Sequence, residues 1–201
     1  MPGSRASIAA ANTPPVCTAL IVPECRPCLK SMVFFARGSE AFATTVSPSP
    51  WAGYTLLMNV CQHEFELASE GHGHVYDLTE EVVAWLGSIA AIEGQLTVFV
   101  PGSTAVITTI EFEPGAVRDL VEALERLAPS DRSYHHDLRW GDGNGFSHLR
   151  AALLGPSLTV PVARGRCVLG TWQQIVLAEC DLAPRRRRVV LSFVGSCDQE
   201  A

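Results

Sequence analysis

Two imidazoles, a carboxylate and a carboxamide fall within one short stretch of this chain. Asn144 and His148 lie four apart, so on a helix both side chains project from one face about one turn apart. Tyr134-His135-His136-Asp137 comes just before them. Neutral imidazole at more than one position is what a divalent transition metal needs, and a carboxylate orients or completes the set. The competing reading makes His148 a buried, hydrogen-bonded histidine and His135-His136 a solvated loop, because no complete ligand motif is present. His72 and His74, in Gly71-His72-Gly73-His74, read as a turn.

Other residues carry chemistry of a different kind. Arg185-Arg186-Arg187-Arg188 is the densest positive charge in the molecule, and a guanidinium binds phosphate in a bidentate manner. Strand alternation sends Arg185 and Arg187 to one face and Arg186 and Arg188 to the other; a charged edge strand is the plainer alternative. Glu111 sits in the otherwise apolar run Thr104–Phe112, where a carboxylate is either on the solvent face, the default, or buried and paired. Trp172, in Gly170-Thr171-Trp172-Gln173, reads as packing more readily than as the wall of a pocket.

The overall composition excludes several classes. Of 201 residues, 47% are apolar and 18% charged, which supports a packed core and excludes wholesale disorder. A net charge of −6 argues against a nucleic-acid binder, and no apolar run is long enough to span a bilayer. Lys30 is the chain's only lysine, so a Schiff-base or Walker-type lysine is excluded beyond it. Seven cysteines at irregular spacing suggest reduced thiols rather than a disulfide scaffold. Cys25-x-x-Cys28 has metal-like spacing but no second pair completes it.

These side chains need elements to hold them. Residues 1–57 contain more than half of the 13 prolines and show no sustained period. They read as a poorly ordered extension or an artefact of start-codon choice, with residues 58–201 forming the domain from Met58. From Gln62 the patterning becomes regular: Glu64–Leu67 and His74–Tyr76 alternate like strands. A helix follows, with Val82, Val83, Leu86, Ile89 and Ala90 at helical spacing, and Gly94 ends it. Leu96–Val100 and Thr104–Phe112 are β-branched runs around a Pro101-Gly102-Ser103 turn. Pro114 opens a second helix, closed by Pro129, and Ser130–Gly143 reads as a polar connection. Asn144–Leu154 reads as a third helix, capped by Asn144 and stopped by Gly155-Pro156. Four β-rich segments finish the chain: Ser157–Ala163, Arg166–Leu169, Gln173–Cys180 and Arg187–Val194. The fold class is α+β, a mainly antiparallel sheet with about three helices packed on it.

Ser157-x-x-Val160-Pro161-Val162-x-x-Gly165 followed by Leu169-Gly170-Thr171-Trp172-Gln173-Gln174-Ile175 resembles the signature of the YjbQ family, also called the secondary thiamine-phosphate synthase family. Asp77-Leu78-Thr79, Ser103-Thr104 leading to Glu111, Tyr134-x-His136-Asp137, Asn144-x-x-x-His148-Leu149 and Pro184-Arg185-x-Arg187 agree in order. The resemblance covers about residues 62–195 and implies a compact cytosolic homotrimer with a histidine-rich, metal-holding cleft. It implies a weak or accessory thiamine-phosphate synthase, transferring hydroxymethylpyrimidine from its diphosphate to thiazole phosphate. His136, His148, Asp137 and Asn144 then form the catalytic group, with His136 and His148 on a divalent metal, zinc or magnesium. Arg185, Arg187, Trp172, Gln173 and Glu111 would bind substrate. Many members have a histidine where this chain has Gly102, which leaves the ligand set one short. Two rivals use the same residues: a non-catalytic metal- or ligand-binding homotrimer, and a metal-dependent enzyme acting on another small phosphorylated metabolite. None of these readings involves nucleic acid or membrane.

Overall fold

The structure, a computed structural model, describes residues 58–198 in full and the backbone of Ile8–Ala9, Val16–Ile21 and Leu57. The reading of residues 1–57 as an extension or artefact, and the Cys25/Cys28 pair, therefore lie for the most part outside the described residues. The described strands are β1 (Ile8–Ala9), β2 (Val16–Ile21), β3 (Leu57–Ala68), β4 (Val75–Asp77), β5 (Ala91–Phe99), β6 (Ala105–Ile110), β7 (Ser157–Ala163), β8 (Arg166–Cys167), β9 (Gln174–Glu179) and β10 (Arg186–Cys197). The helices are α1 (Thr79–Ser88), α2 (Pro114–Leu127), α3 (His135–Trp140) and α4 (Gly145–Leu154).

Two antiparallel sheets make the body. The larger runs β1-β3-β10-β5-β7-β8, with β2 also on β3; the smaller runs β4-β9-β6. Alternation builds the space between them. Phe65 and Leu67 of β3, Leu96 and Val98 of β5, and Val189, Leu191 and Phe193 of β10 share one buried cluster with Ile107 of β6 and Ile175 and Leu177 of β9. α1 adds Val82, Trp85 and Leu86 to it. Burying side chains of this size contributes roughly 1.5–3 kcal/mol each. The opposite face of the small sheet gives Val106, Ala178 and Cys180 to a second cluster with Ala151 of α4. The layers are thus large sheet, small sheet, helix, which is the α+β class expected.

Several local expectations change. The polar connection contains α3, a six-residue helix with no buried residue; without an apolar stripe it has no periodic signal to read. β10 lies between β3 and β5 rather than at an edge. Its alternation does split the arginine run: Arg187 is buried, while Arg186 and Arg188 face solvent and pair with Glu66 at 3.2 Å and Glu64 at 3.4 Å on β3. Cys61 is fully buried and disulfide-bonded, which corrects the expectation of reduced thiols throughout; the register sets Cys17 opposite it. Cys167, Cys180 and Cys197 are free.

Candidate functional site

The junction of α3 and α4 is built around Asp137. One oxygen of its carboxylate accepts from the Tyr134 N–H at 2.9 Å, the other from the Gly145 N–H at 2.9 Å. The carboxylate thus ties the start of α3 to the start of α4. This fixes the two histidines carried by those helices: the rings of His136 and His148 stand 4.3 Å apart, centroid to centroid, with their planes at 41°. Asp142, from the connecting loop, brings Oδ2 to 3.6 Å from His136 Nε2. His135 is exposed and outside the pair. Asn144 occupies the N-cap of α4 but its side chain makes no capping bond. Its Oδ1 is instead buried without a hydrogen-bond partner, a costly state for an amide oxygen that a donor or a cation relieves.

α4 is pinned to the end of the small sheet. The Ser147 hydroxyl donates to the Cys180 carbonyl at 2.5 Å, and the Cys180 N–H donates to the Thr104 carbonyl at 3.0 Å. Here the fold buries a charged network that sequence reasoning missed. Arg187 donates through Nε and Nη2 to both Glu179 oxygens, at 2.7 and 2.5 Å, and through Nη2 to Thr104 Oγ1 at 2.8 Å. The Ser69 hydroxyl and the Asp181 N–H also donate to Glu179, at 2.7 and 2.9 Å. Asp181 accepts from Thr104 Oγ1, from Arg185 Nε and Nη2, and from the Ala183 N–H. Burial opposes its ionisation, but the bonds from Arg185 and Thr104 prevail and hold its pKa below the usual carboxylate value. The readable signal was Glu179 itself, a carboxylate closing the apolar run Ile175–Ala178, which must be paired if buried.

The carboxylates are therefore saturated by Arg185 and Arg187, which makes those arginines structural ion-pair partners before they are ligands for phosphate. Arg187 Nη1 is turned toward Gly102, where a Cβ would lie 3.4 Å away. A side chain at position 102 would thus meet Arg187. Cys180 is buried, and that burial pushes its thiol up to about 11, away from the thiolate form a nucleophile needs.

The remaining candidates lie at the other end of the small sheet. β6 and β9 pair from Ala105↔Glu179 to Ile110↔Gln174, so about 17 Å of strand separates the two ends. Gln173 bonds Thr109 Oγ1 at 3.1 Å and the Gly170 N–H at 3.0 Å. Glu111 is exposed just beyond β6, as its default reading expected. Trp172 is 70% exposed, which corrects its reading as core packing: its turn lies just before the start of β9, where none of the described elements covers it. One chain does not bring Trp172, Gln173 and Glu111 to His136 and His148.

Among the described residues no group of three or more His, Cys, Asp and Glu side chains is arranged to hold a metal. What the junction does bring together is two imidazole rings, and the unbonded Asn144 amide oxygen lies at the start of the helix that carries His148. That set suits a borderline transition metal such as zinc better than magnesium, which demands oxygen ligands.

A two-sheet α+β domain with a histidine pair at a helix junction is the class of protein these features define. Residues 63–196 match the family model described as UPF0047 protein YjbQ-like, and the chain belongs to that family. A UPF0047 protein of Mycobacterium tuberculosis is 44% identical over 120 residues, covering 60% of this chain and 88% of that protein. One from Methanothermobacter thermautotrophicus is 41% identical over 140 residues, covering 70% and 96%. The crystal structure of a YbjQ-like protein of unknown function from Sulfolobus solfataricus superposes with a TM-score of 0.65 at 30% identity, covering 69% of this chain and 99% of that one. These relatives are named only as uncharacterised UPF0047 proteins and the solved structure as one of unknown function. That overturns the expectation of thiamine-phosphate synthase activity, which rested on the family resemblance. Among the described residues no helix is long and apolar enough to cross a membrane.

Proposed function

We propose that this protein is a metal-dependent small-molecule binder in which His136 and His148, with the Asn144 amide oxygen, hold a divalent transition metal, zinc being the best match. The observation that carries the reading is the His136–His148 ring pair at 4.3 Å. Asp137 acts on it indirectly, by fixing the junction of the two helices. A bound zinc ion would act as a Lewis acid toward an oxygen of its ligand. Arg185 and Arg187 keep donors beyond those used on Asp181 and Glu179, and these suit a small phosphorylated metabolite. Zinc titration followed by calorimetry tests this: wild type binds one equivalent per chain, and His148→Ala and His136→Ala lose binding, while His63→Ala retains it. Unchanged affinity in His148→Ala overturns the site.

The assembly proposed with this site is a homotrimer. Trp172, Leu138 at 77% exposure and Trp140 at 66% are large apolar side chains left to water in the single chain, and a neighbouring copy would cover them. A neighbouring copy is also the means by which the Trp172 end of one small sheet can reach the histidine end of another. Light scattering on the purified chain gives the mass directly, and a monomer refutes it. Asp142 supports a second reading, an Asp–His pair acting on a proton without metal. Ligand binding that persists in chelator-treated protein favours that reading.

A further inference from the structure

α2 is held more thinly than its length suggests. Of its 14 residues only Leu124 is buried, and Leu127 is 65% exposed. Beneath it lies a cavity of about 10 Å³, room for a single water, bordered by Leu120, Val121, Leu124, Arg150, Glu179 and Cys180. The helix therefore roofs a space that reaches Glu179, the carboxylate anchoring Arg187.

The C-terminal end of α2 is fastened by a polar cluster. Arg150 of α4, fully buried, donates through Nε and Nη2 to the Ala128 carbonyl just past α2, at 3.0 and 2.7 Å. Its Nη2 also donates to Glu125 Oε2 at 2.5 Å, and its guanidinium lies over the Phe146 ring at 4.6 Å. The Ser130 N–H and hydroxyl complete the Glu125 carboxylate, at 2.6 and 2.8 Å. Arg150 Nη1 meets His72 Nε2 at 2.7 Å. An arginine can only donate, so Nε2 accepts and the imidazole proton sits on Nδ1. The cluster requires a neutral His72.

We propose that α2 is a lid over this cavity, latched by Arg150 and Glu125, and that protonation of His72 releases the latch. A protonated Nε2 turns a donor toward the Arg150 donor, and the imidazolium competes for Glu125, whose Oε2 is already 3.6 Å away. Arg150 would then lose a partner while remaining buried, which is strongly unfavourable. The charged or titratable groups facing His72 are Arg150 from α4, Glu125 from α2 and His74 from its own turn; the Phe146 ring edge is neutral.

Burial first, and then the Arg150 charge, hold His72 below its ordinary 6.5 against the opposing pull of Glu125. The latch is therefore fully made above pH 6.5 and is lost as pH falls through the depressed value. For Glu125, burial opposes ionisation, but the Ser130 and Arg150 bonds lower its pKa to about 2. Between those limits Glu125 stays ionised and His72 is the member of the cluster that changes charge.

Hydrogen exchange on the full-length protein, corrected for intrinsic rates, reads the lid directly. Between about pH 7.5 and about pH 5.5, protection of the α2 amides should fall about tenfold relative to β6 and β9. His72→Gln should show no such fall, and Glu125→Gln should lose α2 protection at both pH values. Wild-type α2 protection that does not change with pH overturns the proposal, as does the same fall in His72→Gln. If His72→Gln fails to fold, Glu125→Gln decides: α2 protection equal to wild type means that the cluster is no latch.

Discussion

Four hydrogen bonds converge on the Glu179 carboxylate, two from Arg187 and one each from Ser69 and Asp181. Removing Arg187 leaves that carboxylate buried with its charge uncompensated. Arg187→Met should cost about 3–5 kcal/mol in urea unfolding, whereas adding Glu179→Gln to it should recover much of the loss, because an unpaired charge no longer remains. His148→Ala is expected to behave oppositely. Its side chain is only partly buried and has no part in either core cluster, so unfolding free energy should stay within roughly 0.5 kcal/mol while zinc content falls to background. A large loss of stability in His148→Ala would show a structural histidine instead. Whether Arg187 pairs with a carboxylate or a ligand was not legible from its strand position, because alternation specifies a face but not what faces it. Glu179, the last residue of β9 in the small sheet, is the residue that decided it.

Among the elements, the pairing of β5 with β10 makes the sharpest demand on sequence. Gly94 stands opposite Gly195, and a Cβ on either would run into the other strand's backbone, at Val194 and Glu93. Gly195→Ala is therefore expected to destabilise by about 1–3 kcal/mol, the usual cost of overpacking, in the same urea assay. By contrast Arg188→Ala removes an exposed cross-strand pair with Glu64 and should cost less than about 1 kcal/mol. Helix α2 was readable from Pro114, its apolar spacing and Pro129, and Glu113 caps it through the Gly115 and Ala116 N–H groups. α3 was not readable, since its order comes from Asp137 reaching back to Tyr134 and forward to Gly145 rather than from any apolar face.

For the whole molecule, the described core lies between Cys61 and Phe193. A chain begun at Met58 should accordingly fold with a cooperative thermal transition. It would also leave β3 uncovered where the backbone of β2 pairs with it, from Met58 to Gln62, and an open strand edge is a template for association. Concentration-dependent light scattering of the truncated chain, absent from the full-length protein, is the expected sign. Failure to fold at any concentration would show that the N-terminal strands belong to the core.

The sequence alone determined the class, the strands and helices with strong periodicity, and the separation of Arg185 and Arg187 from Arg186 and Arg188. All of these follow from local rules: a period of two or 3.6, a turn residue, a cap. It also brought His136 and His148 under suspicion, because they are close along the chain. What lies far apart in sequence was decided only by tertiary structure. Ser69, Thr104, Glu179 and Arg187 meet because two sheets stack, and Trp172 and Gln173 part from the histidines because β6 and β9 run the full length between them. His72 acquires its meaning in the same way, from an arginine 78 positions away. Burial turns such chance neighbours into obligatory partners, since a charge removed from water must be paired with whatever the fold sets beside it.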